Sequence, residues 1–268
     1  MAYSFTSHER EVFKDFLTAR YGLAFEEHRH RFLDSALAGR MEDCGINSAA
    51  AYRHRIENDG EELSRLVDAV TNNLSRFFRN RGQLQTVTDF ILPELIGGRA
   101  ISVWVAGCAT GEEPYSLAMT LADSLPESVE FHITATDISR RALKIARAGI
   151  YSQRRARAVS ESVRTRYFSD DNGRLSVSDS LRRRVSFVEH NVIETPIVRG
   201  ADLVLCRNVL TYLAPQARRL AIRMLRDSIA EGGFLIIGNS ETLPRGSGFT
   251  AITRPPARIY RRPCPLSE

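Results

Sequence analysis

Apolar residues in the first part of the chain recur every three or four positions. Three groups show this spacing: Val12, Phe13, Phe16 and Leu17; Phe32, Leu33, Ala36 and Leu37; and Leu63, Leu66, Val67 and Val70. The spacing places them on one face of a helix. Thr6 and Glu9 have the spacing of a capping box, which predicts where the first helix begins. We therefore expect an all-helical domain over residues 1–80 and a linker over 81–98 with a helix near 87–95.

The pattern then changes to short apolar runs that alternate with helical segments. The runs are 101–106, 131–136, 185–188, 203–206 and 234–237. Such runs are typical of parallel strands covered on both faces. Helices predicted at 114–124, 139–148 and 215–230 give the βαβ alternation of a doubly wound, Rossmann-like α/β domain over 99–268. Residues 249–253 and 258–261, separated by Pro255-Pro256, are predicted to form a closing antiparallel pair.

Residues 150–184 interrupt this alternation. They contain a polar helix at 160–167, a turn signal at 170–173 and an alternating strand around Leu175 and Val177. The pattern predicts a small inserted β-subdomain between the second and third strands. The segment holds nine arginines and four acidic residues, so it is locally basic.

Composition narrows the class of protein. No run of about eighteen uncharged apolar residues is present, and the N-terminus lacks the pattern of a secretory signal, so we expect a cytoplasmic protein without membrane insertion. The four cysteines lack the spacing of metal ligands, so we expect no metal and mostly buried thiols. The net charge is +5; residues 1–80 hold 11 basic and 13 acidic residues, so the basic character belongs to the rest.

The first predicted strand runs directly into the segment AGCATGEEPYS, residues 106–116. Its glycines allow a ligand to approach the backbone, and Pro114 is predicted to open the following helix. The pair Glu112-Glu113 would repel a pyrophosphate but suits an ammonium group or ribose hydroxyls. The loop therefore favours S-adenosylmethionine over a dinucleotide, although glycine turns of this kind are also common in purely structural α/β units.

Polar residues follow the next three strands as well. Asp137 ends the second strand, where an acid commonly accepts hydrogen bonds from ribose, and it is equally compatible with an N-cap for the next helix. Asn191 and Asn208 follow the third and fourth strands and can serve either a ligand or a turn. We expect His190 to be a satisfied surface or supporting histidine rather than a base. The carboxyl ends of strands in open α/β sheets form ligand sites, so these segments should wall one pocket.

Read together, five segments resemble the chemotaxis-receptor glutamate methyltransferases: TNNLSRFFR, VWVAGCATGEEPYSLAM, ATDIS with ALKIARAGIY, LVLCRNVLTYL and GGFLIIGNSETL. The likeness covers nearly the whole chain. It implies an enzyme that uses S-adenosylmethionine, releases S-adenosylhomocysteine and forms glutamate methyl esters on the cytoplasmic domains of methyl-accepting receptors. We expect it to act as a monomer and not on nucleic acid.

The resemblance also implies roles for particular residues. Its cofactor-contacting positions are Asn73, Ser75, Arg79, Glu113, Asp137, Asn191, Val192, Arg207 and Asn208, and Tyr212 lies near the transferred methyl group. Gly107 of the loop after the first strand is also expected to bind the cofactor. Ser75 stands where the family usually has threonine. Tyr212 and Arg79 are the catalytic candidates, because a glutamate carboxylate is ionised at neutral pH and needs orientation rather than a general base.

Two departures from the family concern the receptor. The family's basic N-terminal helix is only partly present, since Arg29, Arg31 and Arg40 remain but residues 36–39 are ALAG. The turn at 169–173 is short compared with members that bind a receptor's C-terminal tail, so we expect tail-independent recognition. Two rival functions remain open: methylation of nucleic acid, for which the motif Asp/Asn-Pro-Pro-aromatic is missing, and a signalling scaffold that binds the cofactor without transfer.

Overall fold

The computed structural model describes residues 3–97, 99–254 and 257–264. The first part consists of four helices: α1 (Ser7–Tyr21), α2 (His30–Asp43), α3 (Ala49–Asn58) and α4 (Gly60–Val70). The capping box is confirmed, because the Glu9 amide donates to Thr6 Oγ1 and the Thr6 amide donates to the Glu9 carboxylate. The predicted apolar positions Phe13, Leu33 and Leu66 pack into one buried cluster.

The linker region is helical. It comprises α5 (Arg81–Thr86), a π-helical turn (Val87–Ile91) and α6 (Leu92–Leu95). Its apolar side chains Leu84, Val87 and Ile91 are buried in the same cluster as residues of the central sheet. The 81–98 linker and the other domain bounds remain predictions.

The central sheet has seven strands. They are β1 (Ile101–Ala106), β2 (Phe131–Asp137), β6 (Val185–Glu189), β7 (Ala201–Cys206), β8 (Ile229–Ile237), β9 (Thr250–Arg254) and β10 (Ala257–Arg261). Their order is β6-β2-β1-β7-β8-β10-β9; the first five are parallel, and β10 is antiparallel to both neighbours. The five predicted parallel strands and the closing antiparallel pair are therefore confirmed, while Pro255-Pro256 lie outside the described residues.

Helices cover both faces of this sheet: α7 (Glu112–Ser124), α8 (Arg140–Ala148) and α11 (Pro215–Ser228). Successive residues of β1 point to opposite faces, so Val103 and Val105 join one buried cluster while Trp104 joins the other. The helix predicted to begin at Pro114 begins two residues earlier, at Glu112. Proline is tolerated at this third position because the first turn has no helical acceptors for its amides.

The insertion follows α8. It contains β3 (Ile150–Ser152), α9 (Glu161–Tyr167), β4 (Phe168–Asp171), β5 (Arg174–Val177) and α10 (Asp179–Arg182), and its three strands form an antiparallel sheet in the order β3-β5-β4. Asn172 and Gly173 form the turn between β4 and β5 with positive φ angles of 51° and 82°, which suits an Asn-Gly hairpin. The predicted β-containing insertion is confirmed.

The helical part is attached to the sheet domain at two places. The Ser139 hydroxyl donates to Asp68 at the end of α4 over 2.6 Å. On the other side, the Ala24 amide donates to the Tyr212 carbonyl and the Ala214 amide to the Gly22 carbonyl, each over 2.8 Å. These attachments flank the carboxyl edge of the parallel strands. Within the described residues, no helix is both long and apolar enough to span a membrane.

Candidate functional site

A cavity of about 430 Å³ lies at the carboxyl ends of β1, β2, β6 and β7, and the segment after α4 closes its other side. The eleven residues that the motifs singled out all line it: Asn73, Ser75, Arg79, Gly107, Glu113, Asp137, Asn191, Val192, Arg207, Asn208 and Tyr212. The strand order reverses beside β1, which is where open α/β sheets bind ligands. Tyr21, Leu23, Arg29 and Val70 of the helical part also line the cavity, and sequence reasoning had not placed them there.

Gly107 holds the loop after β1 close to the loop after β7. Its φ is +77°, and a Cβ atom added there would lie 2.2 Å from Val209 Cγ2. Gly111, with φ +94°, similarly leaves no room between the loop and Ala146 of α8. Since only glycine adopts these angles readily and fits, the two glycines fix the backbone that forms the cavity floor.

The two acidic residues at the start of α7 point in different directions. Glu113 lines the cavity and forms an ion pair with Arg207, which is itself buried. Glu112 is fully buried outside the cavity, where it accepts a hydrogen bond from Thr110 and pairs with Arg155 over 3.0 Å. Of this acidic pair, only Glu113, the predicted cofactor-binding residue, faces the cavity.

Asp137 is held by the backbone of two loops. Its carboxylate accepts the Ala109 amide over 2.8 Å and the Ser139 amide over 2.9 Å. Ser139 is the N-cap of α8, since its hydroxyl accepts from the Ala142 amide, so the alternative of Asp137 as N-cap is wrong. Burial raises the pKa of Asp137 above its usual value although both amides favour the ionised form.

The two asparagines form turns and also line the cavity. Asn191 Oδ1 accepts the Ile193 amide over 3.3 Å, and its amide donates to the Tyr21 carbonyl. Asn208 has a positive φ of 57°, and its backbone amide donates to Glu241 over 2.9 Å. The turn-forming role and the cavity-lining position thus coexist at both sites.

Glu241 is a supporting residue that sequence reasoning missed. It is only 5% exposed, and its carboxylate accepts backbone amides from Gly238, Asn208 and Thr211. These bonds fix the loop after β7, which carries Arg207, Asn208 and Tyr212. Its position after the last parallel strand, in GNSETL, was the available signal.

The Tyr212 ring is positioned by the helical part. Arg29 lies over it, with its guanidinium carbon 5.1 Å from the ring centroid, and also contacts the rings of Phe25 and Phe32. The Asn72 amide donates to the Tyr212 hydroxyl oxygen over 3.2 Å. Burial lowers the pKa of Arg29, and its nearest backbone acceptors are the Ala24 and Val70 carbonyls. Tyr212 is therefore held between the two parts of the protein.

The segment after α4 supplies the remaining wall. Asn73 donates to Thr71 and to Ser139, each over 3.2 Å, while Ser75 lines the cavity nearby. The Arg79 backbone carbonyl accepts from Arg207. Within the described part of the chain, the Arg79 guanidinium has no hydrogen-bond or ion-pair partner, so it is free to meet an anion.

His190 differs from the expectation of a satisfied histidine. It is 8% exposed and lines the cavity, and its Nε2 has no partner among the described residues. Burial lowers the pKa of its imidazole, so the ring is neutral near pH 7. The structure thus places a buried, unpaired ring nitrogen in a residue that lines the cavity, which the sequence did not indicate.

Comparisons with known proteins agree in both parts of the chain. Residues 73–255 match the family described as CheR methyltransferase, SAM binding domain, and residues 8–71 match CheR methyltransferase, all-alpha domain. Chemotaxis protein methyltransferase 2 of Vibrio cholerae is 31% identical over 90% of this chain and 88% of its own. Chemotaxis protein methyltransferase 1 of Pseudomonas aeruginosa is 32% identical over 94% of this chain and 96% of its own.

Proposed function

The chain belongs to the CheR methyltransferase family and uses S-adenosylmethionine as cofactor, and from this premise we propose that it methylates glutamate side chains of chemotaxis receptors. The product is a glutamate methyl ester and S-adenosylhomocysteine. We infer further that the enzyme acts as a cytoplasmic monomer on the receptors' cytoplasmic domains. The observation that carries the proposal is the single cavity lined by all the motif residues.

The cavity suits this cofactor in size and chemistry. Its volume of about 430 Å³ lies within the range of small-molecule sites. The Glu113 carboxylate would accept from the ammonium group of the cofactor's methionine part, and the Arg207 guanidinium would donate to the carboxylate of that part. The Asp137 carboxylate would accept from the ribose hydroxyls. Asn191 and Val192 would hold the adenine, while Asn73, Ser75 and Asn208 would complete the wall.

S-adenosylmethionine supplies an electrophilic methyl group on a sulfonium sulfur. A glutamate carboxylate is already ionised at neutral pH, so the protein does not need to remove a proton from it. Alignment and exclusion of water are the contributions that remain. In the proposed mechanism the Tyr212 hydroxyl donates a hydrogen bond to one oxygen of the substrate carboxylate. Arg79 attracts the negative charge of the same carboxylate. Because no proton has to be removed from the substrate, His190 is not needed as a base.

Recognition of a receptor tail is not needed in this proposal. The β4–β5 hairpin closes through the two-residue turn Asn172-Gly173, and the turn region Ser169–Gly173 is exposed or half-buried. This compact hairpin supports tail-independent docking. A receptor truncated after its methylated helices should therefore be methylated at the rate of the full-length receptor.

The proposal is tested with purified protein, methyl-labelled S-adenosylmethionine and membranes from the host. The expected result is label on proteins of receptor size, released as volatile methanol by mild alkali because carboxyl methyl esters are base-labile. Host RNA incubated in parallel is expected to stay unlabelled. Alkali-stable label, or label on RNA alone, would contradict the proposal.

A further inference from the structure

A second cavity of about 910 Å³ opens beside the cofactor cavity. Its walls are the segment after α4 and the loop after β3, and the following residues line it: Asn73, Leu74, Ser75, Arg76, Phe77, Phe78, Arg79, Asn80, Ser152, Arg154, Arg155, Arg157, Ala158, Asn208, Asn239 and Ser240. We refer to it as the arginine groove. The two cavities share Asn73–Arg76, Arg79 and Asn208, so the groove leads directly to the cofactor cavity.

The arginine groove carries uncompensated positive charge. Five arginines line it, and no acidic residue is among its described lining residues. Arg155 is neutralised by its ion pair with buried Glu112. The other four, Arg76, Arg79, Arg154 and Arg157, have no ion-pair or hydrogen-bond partner within the described residues. A concave surface lined by one sign of charge attracts and orients ligands of the opposite sign.

An apolar contact point lies where the two cavities meet. Leu74 is 79% exposed and lines both of them. A single exposed leucine is ordinary on a protein surface, but this one lies at the junction of the two cavities. A segment that crosses from the groove to the cofactor cavity would cover it.

The basic helix of the helical part offers much less free charge. Arg40 is engaged by Glu62 and Asp43, each over 2.6 Å. Arg29 is half-buried against aromatic rings and backbone carbonyls. Only Arg31 of the three arginines remains exposed without a partner in the described structure. The free positive charge near the site therefore lies mainly in the arginine groove, on the segment after α4 and on the insertion.

Resting on the proposed function, we propose that the arginine groove binds acidic side chains that flank the target glutamate on a helix of the substrate protein. Residues three, four and seven positions apart share one helix face, so carboxylates one or two turns from the target can reach Arg154 and Arg157. The target glutamate then lies beside Arg79 and Asn208. Arginine forks suit carboxylates in this role.

A protein ligand fits this groove better than a single-stranded nucleic acid. Proteins that hold unpaired bases combine positive charge with exposed aromatic rings on which bases stack. The aromatic residues of the groove are Phe77, which is 1% exposed, and half-buried Phe78, whose amide donates to Ser116. The groove thus has the charge for a polyanion without a stacking surface in its described part.

The test compares the double variant Arg154→Gln/Arg157→Gln with Arg219→Gln/Arg223→Gln, two exposed arginines of α11 that also lack partners in the described structure. The probe is the purified cytoplasmic fragment of a host receptor. At about 0.05 M salt we expect the groove variant to raise the KM for this fragment about five- to tenfold. The kcat and the KM for S-adenosylmethionine should stay within about twofold, as should all constants of the control.

Further measurements distinguish an effect of charge from a loss of folding and from the binding of a different ligand. Arg154→Lys/Arg157→Lys should restore most of the affinity, and about 0.5 M salt should remove most of the difference between wild type and the Gln variant. An unchanged KM in the Gln variant overturns the groove assignment and leaves the proposed function standing. Loss of binding to a labelled RNA with unchanged receptor KM also overturns it, in favour of nucleic acid. Absence of transfer by the wild type itself overturns the proposed function.

Discussion

The Asn72 side-chain amide donates a hydrogen bond to the Tyr212 hydroxyl oxygen over 3.2 Å, although 140 positions separate the two residues. The bond occupies the tyrosine as an acceptor and leaves its hydroxyl hydrogen available as a donor. Arg29 fixes the same ring from the other side. Tyr212 is therefore oriented before any substrate enters, and its free donor is available to a carboxylate.

Tyr212→Phe removes that donor and keeps the ring under Arg29. Turnover should fall about tenfold, because a hydrogen bond to a charged group contributes roughly 1.5–3 kcal/mol and part of the orientation remains. The KM for S-adenosylmethionine should change less than about twofold. Steady-state methyl transfer measures both constants. An unchanged turnover would remove Tyr212 from the mechanism, and the same loss in Asn72→Ala would show that orientation alone matters.

Gly107→Ala should destabilise the protein and weaken cofactor binding. The new methyl group meets Val209 Cγ2 at 2.2 Å, and φ +77° is strained for alanine. The expected loss is about 2–4 kcal/mol in the free energy of unfolding, measured by urea denaturation. Gly45→Ala is the matched control, because its φ is +66° but no atom lies within 4 Å. Adding Val209→Ala should recover the steric part; no recovery would contradict the clash.

Glu62 stabilises the helical part in a pH-dependent way. It is 2% exposed and accepts from Arg40 and Tyr52. Burial acts to raise the pKa of Glu62, but these hydrogen bonds outweigh it and lower the pKa below 4.5. The stabilisation is therefore present above about pH 4.5 and is lost as the pH falls through the lowered pKa.

Glu62→Ala should lower the free energy of unfolding at pH 7 by about 3 kcal/mol, because buried Tyr52 and Arg40 lose their partner. The difference in the free energy of unfolding between Glu62→Ala and the wild type should shrink toward acid pH. Glu61→Ala, on the same helix with an exposed carboxylate, should change stability by less than about 0.5 kcal/mol. Denaturation curves between neutral and acid pH measure this; equal effects of the two variants would rule out a special role for Glu62.

The raised pKa of Asp137 predicts that cofactor affinity depends on pH. Burial raises its pKa, so it takes up a proton at a higher pH than an exposed aspartate. Protonation removes an acceptor for the ribose, so the Kd for S-adenosylhomocysteine should rise as the pH falls from 7 toward the raised pKa. Protonation of this group favours the folded state, so unfolding does not cause the effect.

Calorimetric titration across this pH range measures the Kd. Asp137→Asn should bind more weakly at all pH values and without the pH-dependent step. Asp171→Asn, an exposed carboxylate in the β4–β5 hairpin, should behave like the wild type. A wild-type Kd that does not change with pH would exclude an ionised Asp137 as the ribose acceptor.

The fold was predictable where burial dictates composition. Parallel strands covered on both faces read as apolar runs, and the residues after them meet at one edge, so Gly107, Asp137, Asn191 and Asn208 were placed together correctly. Whether the carboxylates of Glu112 and Glu113 point to the same side depends on where the helix begins. Here α7 begins at Glu112 rather than at Pro114. For that reason only Glu113 reaches the cavity.

Contacts between distant segments were beyond the sequence pattern. The stacking of Arg29 on Tyr212 and the burial of His190 depend on how the helical part docks, which periodicity does not encode. The same is true of Arg40, one of the remaining arginines of the basic helix, which pairs with Glu62 of another helix. The arginine groove likewise arises only when the insertion folds beside the segment after α4.

We propose that one cavity at the carboxyl edge of the sheet holds the methyl donor. Calorimetric titration of the chain with S-adenosylhomocysteine measures whether it does. We predict saturable uptake of one molecule per chain, which Glu113→Gln weakens about tenfold by removing a charge-assisted hydrogen bond. No heat of binding by the folded chain, or uptake unaffected by changes to the cavity residues, would contradict the account.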